Sequence, residues 1–91
     1  MSAKVSVEIY SKPGCHLCEE AKAVMLAAGC NELFTITETN IEHDPQLLER
    51  YRFEIPVIMI DDEEVFRHRL RAESFCEEII KRGGGKPPFP T

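Results

Sequence analysis

The chain has 91 residues, 43% hydrophobic and 30% charged, which makes one domain of ordinary globular composition with no room for a second. Its formal charge of -5 excludes nucleic acid and anionic membrane as main partners, since both reward clustered Lys and Arg. The longest apolar run, Ile55 to Ile60, is broken by Pro56 and falls far short of the roughly 20 residues that a membrane-spanning helix needs.

Val5, Val7 and Ile9 alternate with Ser6, Glu8 and Tyr10, a period of two that predicts a first strand. Met1 to Lys4 lead straight into it without the apolar stretch of a secretory leader, so the expected compartment is the cytoplasm. Ser11-Lys12-Pro13-Gly14 breaks the alternation. Leu17, Ala21, Val24, Met25 and Ala28 then recur at helical spacing up to Gly29, which predicts a helix starting at or just after Cys15. Leu33 to Thr39 is rich in β-branched residues and reads as a second strand. Asp44-Pro45 is a helix start, with Leu47, Leu48 and Tyr51 as the apolar face. Val57 to Ile60, a polar turn Asp61-Asp62-Glu63 and a strand from Glu64 predict an antiparallel hairpin, although its turn lacks glycine. Ala72, Phe75, Cys76, Ile79 and Ile80 share a helical face before Gly83-Gly84-Gly85. The expected domain is 1–82, followed by a flexible Gly/Pro-rich tail, 83–91. The order β-α-β-α-β-β-α implies an α/β fold with a four-stranded mixed sheet covered by three helices.

The chemistry concentrates at Cys15 and Cys18. In a reducing compartment a close Cys-x-x-Cys pair points to catalysis, redox sensing or metal binding rather than to a structural framework. Cys15 falls at the start of the first helix, where unpaired N–H groups and the positive end of the helix dipole stabilise a thiolate by roughly 0.3–2 kcal/mol. Lys12 and His16 would add positive charge nearby, and Glu19 and Glu20 would oppose it. Cys18 lies three residues on, close enough to act as the resolving thiol. A bare Cys-x-x-Cys also fits two ordinary small residues or half of a zinc site. The preceding strand and the βαβ context favour redox chemistry, and Cys30, Cys76, His16, His43 and His68 offer no second close pair for zinc.

Tyr10 to Lys22, reading Tyr-Ser-Lys-Pro-Gly-Cys-His-Leu-Cys-Glu-Glu-Ala-Lys, together with Ile55-Pro56-Val57, resembles the short glutaredoxin-like proteins of the thioredoxin superfamily. The resemblance runs from about Val5 to Lys81 and implies a thioredoxin-like fold with Cys15 and Cys18 as the active pair. It also implies that Pro56 is cis, packs against the cysteines and, with Ile55, offers backbone to the substrate. Lys12 matches the family's lysine three residues before the first cysteine, and His16 lies inside the pair; both join Ile55 and Pro56 as candidate substrate-binding residues. The chain departs from the family in having no tryptophan, in reading Cys-His-Leu-Cys, and in carrying Glu54-Ile55 and Arg67 to Arg71 where glutaredoxins hold glutathione. A disulfide-bearing protein and a low-molecular-weight thiol, glutathione included, are both candidate partners. The implied activity is thiol–disulfide exchange by a monomer without metal or organic cofactor; the alternative is a redox-inactive module of the same fold that binds a protein or metal.

Other residues carry less. Cys76 falls on the apolar helix face and reads as a small core hydrophobe. Cys30 follows Gly29 in a loop and reads as an exposed bystander. His43 and His68 sit in no motif. Asp61 to Glu64 reads as a solvated turn rather than a cation loop. Arg67, Arg69 and Arg71 fit a carboxylate-recognising patch and a charged edge strand equally well.

Overall fold

The alternation at the start of the chain becomes β1, Val5–Ser11, which buries Val5, Val7, Ile9 and Ser11 on one face. The structure is a computed structural model that describes residues 4–82. Helix α1 spans His16–Ala27 and ends at Gly29, whose φ of 92° gives the left-handed turn that glycine adopts without a Cβ penalty. Strand β2, Phe34–Asn40, runs parallel to β1 with Val5 opposite Phe34 and Ser11 opposite Asn40. A single 3-10 turn, Ile41–His43, leads to α2, Pro45–Tyr51. There the Asp44 carboxylate accepts the N–H groups of Gln46 and Leu47, and Pro45 needs no donor at the first helical position.

Strands β3, Val57–Ile60, and β4, Glu63–Arg67, form the hairpin, and α3 spans Ala72–Lys81. Asp61 and Asp62 have φ of 52° and 67°, so the turn is a two-residue left-handed one made without glycine. Aspartate tolerates this conformation better than most residues, and such turns match the twist of the flanking strands. Glu63 therefore pairs with Ile60 and belongs to β4, one residue earlier than expected. The sheet order is β2-β1-β3-β4, with β1 parallel to β2 and antiparallel to β3. This is the four-stranded mixed sheet with three helices that the sequence implies.

Helices α1 and α3 cover one face of the sheet, where Met25, Phe75 and Ile79 join Val7, Ile9, Phe34, Ile58 and Ile60 in the main core. Phe75 meets Phe34 edge-on at a centroid distance of 5.0 Å, and truncating so central a ring costs about 3–5 kcal/mol. A second cluster, Cys18, Ile41, Tyr51, Ile55 and Val57, is fully or nearly buried, with Tyr10 and Cys15 packed against it. Tyr10 and Tyr51 stack at 5.1 Å within it.

Two cysteines differ from the sequence expectation. Cys30 is buried, 7% exposed, rather than an exposed bystander, and it is joined to Cys76 in a disulfide with Cα atoms 5.9 Å apart. The reason is tertiary: α1 and α3 pack on the same side of the sheet, so the residue just past α1 meets the middle of α3. The tail at 83–91 lies outside the described residues. Among the described residues no helix is long and apolar enough to cross a membrane.

Candidate active site at the start of the first helix

Strand β1 delivers the chain to the site through a tight turn. The Cys15 N–H donates to the Lys12 carbonyl at 3.3 Å across Pro13 and Gly14, and Gly14 has φ 79°. Proline pre-sets the first corner of this turn, and glycine supplies the positive φ at the second. Cys15 then caps α1 with extended backbone, and its Sγ accepts the Cys18 N–H at 3.2 Å.

The two sulfurs form a disulfide, 2.16 Å between Sγ atoms and 5.3 Å between Cα atoms. Their surroundings differ: Cys15 is half-buried, whereas Cys18 is 1% exposed and part of the second core cluster. An incoming group therefore reaches Cys15, and Cys18 stands behind it. The Cys18 N–H and the N-terminal end of α1 thus lie at Cys15 Sγ, a donor and a dipole end of the kind that stabilises negative charge on a sulfur.

One of the two glutamates that follow the pair is engaged in an ion-pair network. Glu19 is bound by Lys22 at 3.0 Å, and Lys22 also reaches Glu38 at 3.1 Å. Glu38 in turn accepts the Ser11 hydroxyl at 2.7 Å. The Ser11 hydroxyl first, then Lys22, hold the Glu38 carboxyl below its ordinary range against the opposing pull of burial. Hydrogen bonds donated to Glu19 and Glu38 hold the Lys22 ammonium above its own. This network ties the first turns of α1 to β1 and β2 and takes up the negative charge of Glu19. Lys12 and His16 are exposed beside the pair, and neither makes an ion pair among the described residues.

The Ile55–Pro56 peptide is cis, as the resemblance implied. Ile55 and Val57 lie in the same buried cluster as Cys18, so the structure brings the proline segment and the cysteine pair together. His43 stays apart in its 3-10 turn. His68, which carries no signal in the sequence, does reach the site: its N–H donates to the Pro56 carbonyl at 2.7 Å, and its Nε2 lies 3.3 Å from the Phe53 carbonyl. Beside Leu17, which sits between the two cysteines, a cleft of about 270 Å³ opens toward His68, Arg69, Leu70 and Arg71. No three His, Cys, Asp or Glu side chains converge as metal ligands among the described residues.

Residues 6–80 match the glutaredoxin-like domain family, DUF836. The chain belongs to this family. It is 32% identical over 81 residues to a glutaredoxin-like protein of Dictyostelium discoideum, covering 82% of this chain and 75% of that one. A Nitrosomonas europaea protein solved by NMR shares the fold with a TM-score of 0.74 at 23% identity, over 87% of this chain and 95% of its own. The Drosophila melanogaster thioredoxin Deadhead shares it with a TM-score of 0.54 at 15% identity, over 82% and 77%. The glutaredoxin-like cysteine pair thus sits on a thioredoxin fold.

Proposed function

We propose that this glutaredoxin-like protein is a thiol–disulfide oxidoreductase in which Cys15 is the attacking sulfur and Cys18 the resolving one. The observation that carries this reading is the asymmetry of the pair: an accessible sulfur at a helix N-terminus, bonded to a buried partner one turn later. In the reductive direction the Cys15 thiolate attacks one sulfur of a substrate disulfide, forming a mixed disulfide and expelling the first substrate thiolate. Cys18 then gives up its proton and attacks Cys15 Sγ, which forms the Cys15–Cys18 disulfide and releases the second thiolate. Two electrons pass from the cysteine pair to the substrate, and a dithiol or two monothiols must restore the reduced pair.

Lys12, His16, Ile55 and Pro56 are the proposed substrate-side residues. Lys12 presents positive charge to the thiolates that leave, His16 offers a ring N–H beside Cys15, and the Ile55–Pro56 segment is the proposed backbone contact for the substrate. The test is a trapping experiment with a disulfide substrate. Cys18→Ser is expected to accumulate the mixed disulfide on Cys15, and Cys15→Ser to form none and to lose turnover. Full turnover in Cys15→Ser contradicts the proposal, and a chain that binds the substrate but never exchanges with it is a binding module.

A further inference from the structure

The cleft beside Leu17 is where the charge of this acidic chain reverses. Arg67, Arg69 and Arg71 alternate in the sequence, but the structure separates them. Arg67 is bound to Glu54 at 2.6 Å and to Glu64, whereas Arg69 and Arg71 make no ion pair among the described residues and line the cleft instead. Glu20 is the one carboxylate among the lining residues, against two guanidiniums, and Glu54, 3.7 Å from His68 Nε2, is engaged by Arg67 at 2.6 Å. The cleft also offers apolar contact through Leu17, Val24 and Leu70. Next to His68 stands Phe53, 81% exposed beside the cis-proline segment, with the Arg52 guanidinium 5.5 Å from its ring centroid.

Arg71, Arg69 and His68 thus share the cleft with Leu17 of the Cys-x-x-Cys segment, and His68 links it to Phe53 and Arg52 in one band. A lone exposed phenylalanine is ordinary on a protein surface. Here it adjoins a cationic cleft whose lining includes Leu17, the residue just before Cys18. We propose that this band is a docking surface for the polypeptide substrate, and that it selects an acidic segment near the substrate's cysteine. Carboxylates of that segment meet Arg69 and Arg71, and apolar residues lie on the cleft floor and on Phe53. Because Phe53 is exposed and lies outside the lining of the cleft, the band offers contacts that a ligand confined to the cleft does not use. Exposed charges are screened over about 8 Å at physiological salt, so the chain's net charge of -5 opposes an acidic partner little beyond that distance and the groups lining the cleft decide at contact.

This inference rests on the proposed thiol–disulfide exchange, and its test keeps the two apart. The reduced full chain is given two disulfide-linked peptides of equal length, one with glutamates and one with glutamines beside the cysteine, and glutathione disulfide as a third substrate. The expected result is a kcat/KM roughly tenfold higher for the glutamate peptide, a preference that shrinks toward unity in Arg69→Gln/Arg71→Gln and as salt is raised. Phe53→Ser is expected to slow both peptides more than glutathione disulfide. Equal rates for the two peptides in the wild type overturn the proposal, as does a loss in the arginine variant confined to glutathione disulfide. If no disulfide is reduced, the exchange reading fails, and anisotropy of labelled peptides against the oxidised chain decides the surface. Selective binding of the glutamate peptide that is lost in the arginine variant sustains it, and equal or absent binding overturns it.

Discussion

His68 holds a left-handed backbone, φ 69°, while its N–H donates to the Pro56 carbonyl at 2.7 Å. The bond ties the exit of β4 to the start of β3 beside the cysteine pair. A β-branched residue resists this conformation strongly, whereas asparagine tolerates it. His68→Val is therefore expected to cost about 1–2 kcal/mol and His68→Asn to be nearly neutral. Urea unfolding of the two variants checks the difference.

The Cys30–Cys76 disulfide closes a sequence separation of 46 residues between the end of α1 and the middle of α3. Closing a loop of that length in the unfolded chain corresponds to about 4 kcal/mol in the chain-entropy account. Small domains are stable by only about 5–15 kcal/mol, so the pair is a large share of the total. Cys30→Ala/Cys76→Ala is expected to lower the urea midpoint markedly while leaving the Cys15–Cys18 exchange in place, read by denaturation and by alkylation of Cys15. An unchanged midpoint would show that the bond adds nothing to the folded state in solution.

Glu38 and Glu78 contribute to the acid limb of stability. Ser11 and Lys22 hold Glu38 below its ordinary value of 4.5, and Arg82 first, then Lys81, do the same for Glu78. A carboxylate whose folded pKa lies below its unfolded one contributes stability above the unfolded value, and that contribution is lost as pH falls through the folded one. Stability is thus expected to decline below about pH 4.5. Both side chains are partly exposed, so each contributes no more than about 0.5–1 kcal/mol. Glu38→Gln is expected to be less stable at pH 7 and to show a shallower acid limb, measured by urea midpoints from neutral pH downward.

Most of the fold was legible because its signals are local. The alternation of Val5, Val7 and Ile9, the Asp44-Pro45 helix start and the turn before Cys15 each act within a few residues of themselves. The strand-to-helix position of Cys15 followed from the same signals. What the sequence hid is set by packing between distant segments. Cys30 and Cys76 share no motif spacing, and only the placement of α1 and α3 on one face of the sheet joins them. Arg67, Arg69 and Arg71 look equivalent in the sequence, yet β4 ends at Arg67, so only the other two turn into the cleft. His68 enters the site through a backbone conformation that no pattern in the sequence announces.

The central claim is that Cys15 and Cys18 form a reversible two-electron couple. Its most direct test is an equilibrium titration of the full chain in glutathione and dithiothreitol buffers, with thiols alkylated and located by mass spectrometry and Cys15→Ser as control. The account predicts one transition mapping to Cys15 and Cys18, changing tenfold in ratio for about every 30 mV and centred in the range of thioredoxins and glutaredoxins, about -200 to -270 mV. Cysteines 15 and 18 that remain unpaired thiols across every buffer, or that stay bonded to each other in all of them, would contradict it.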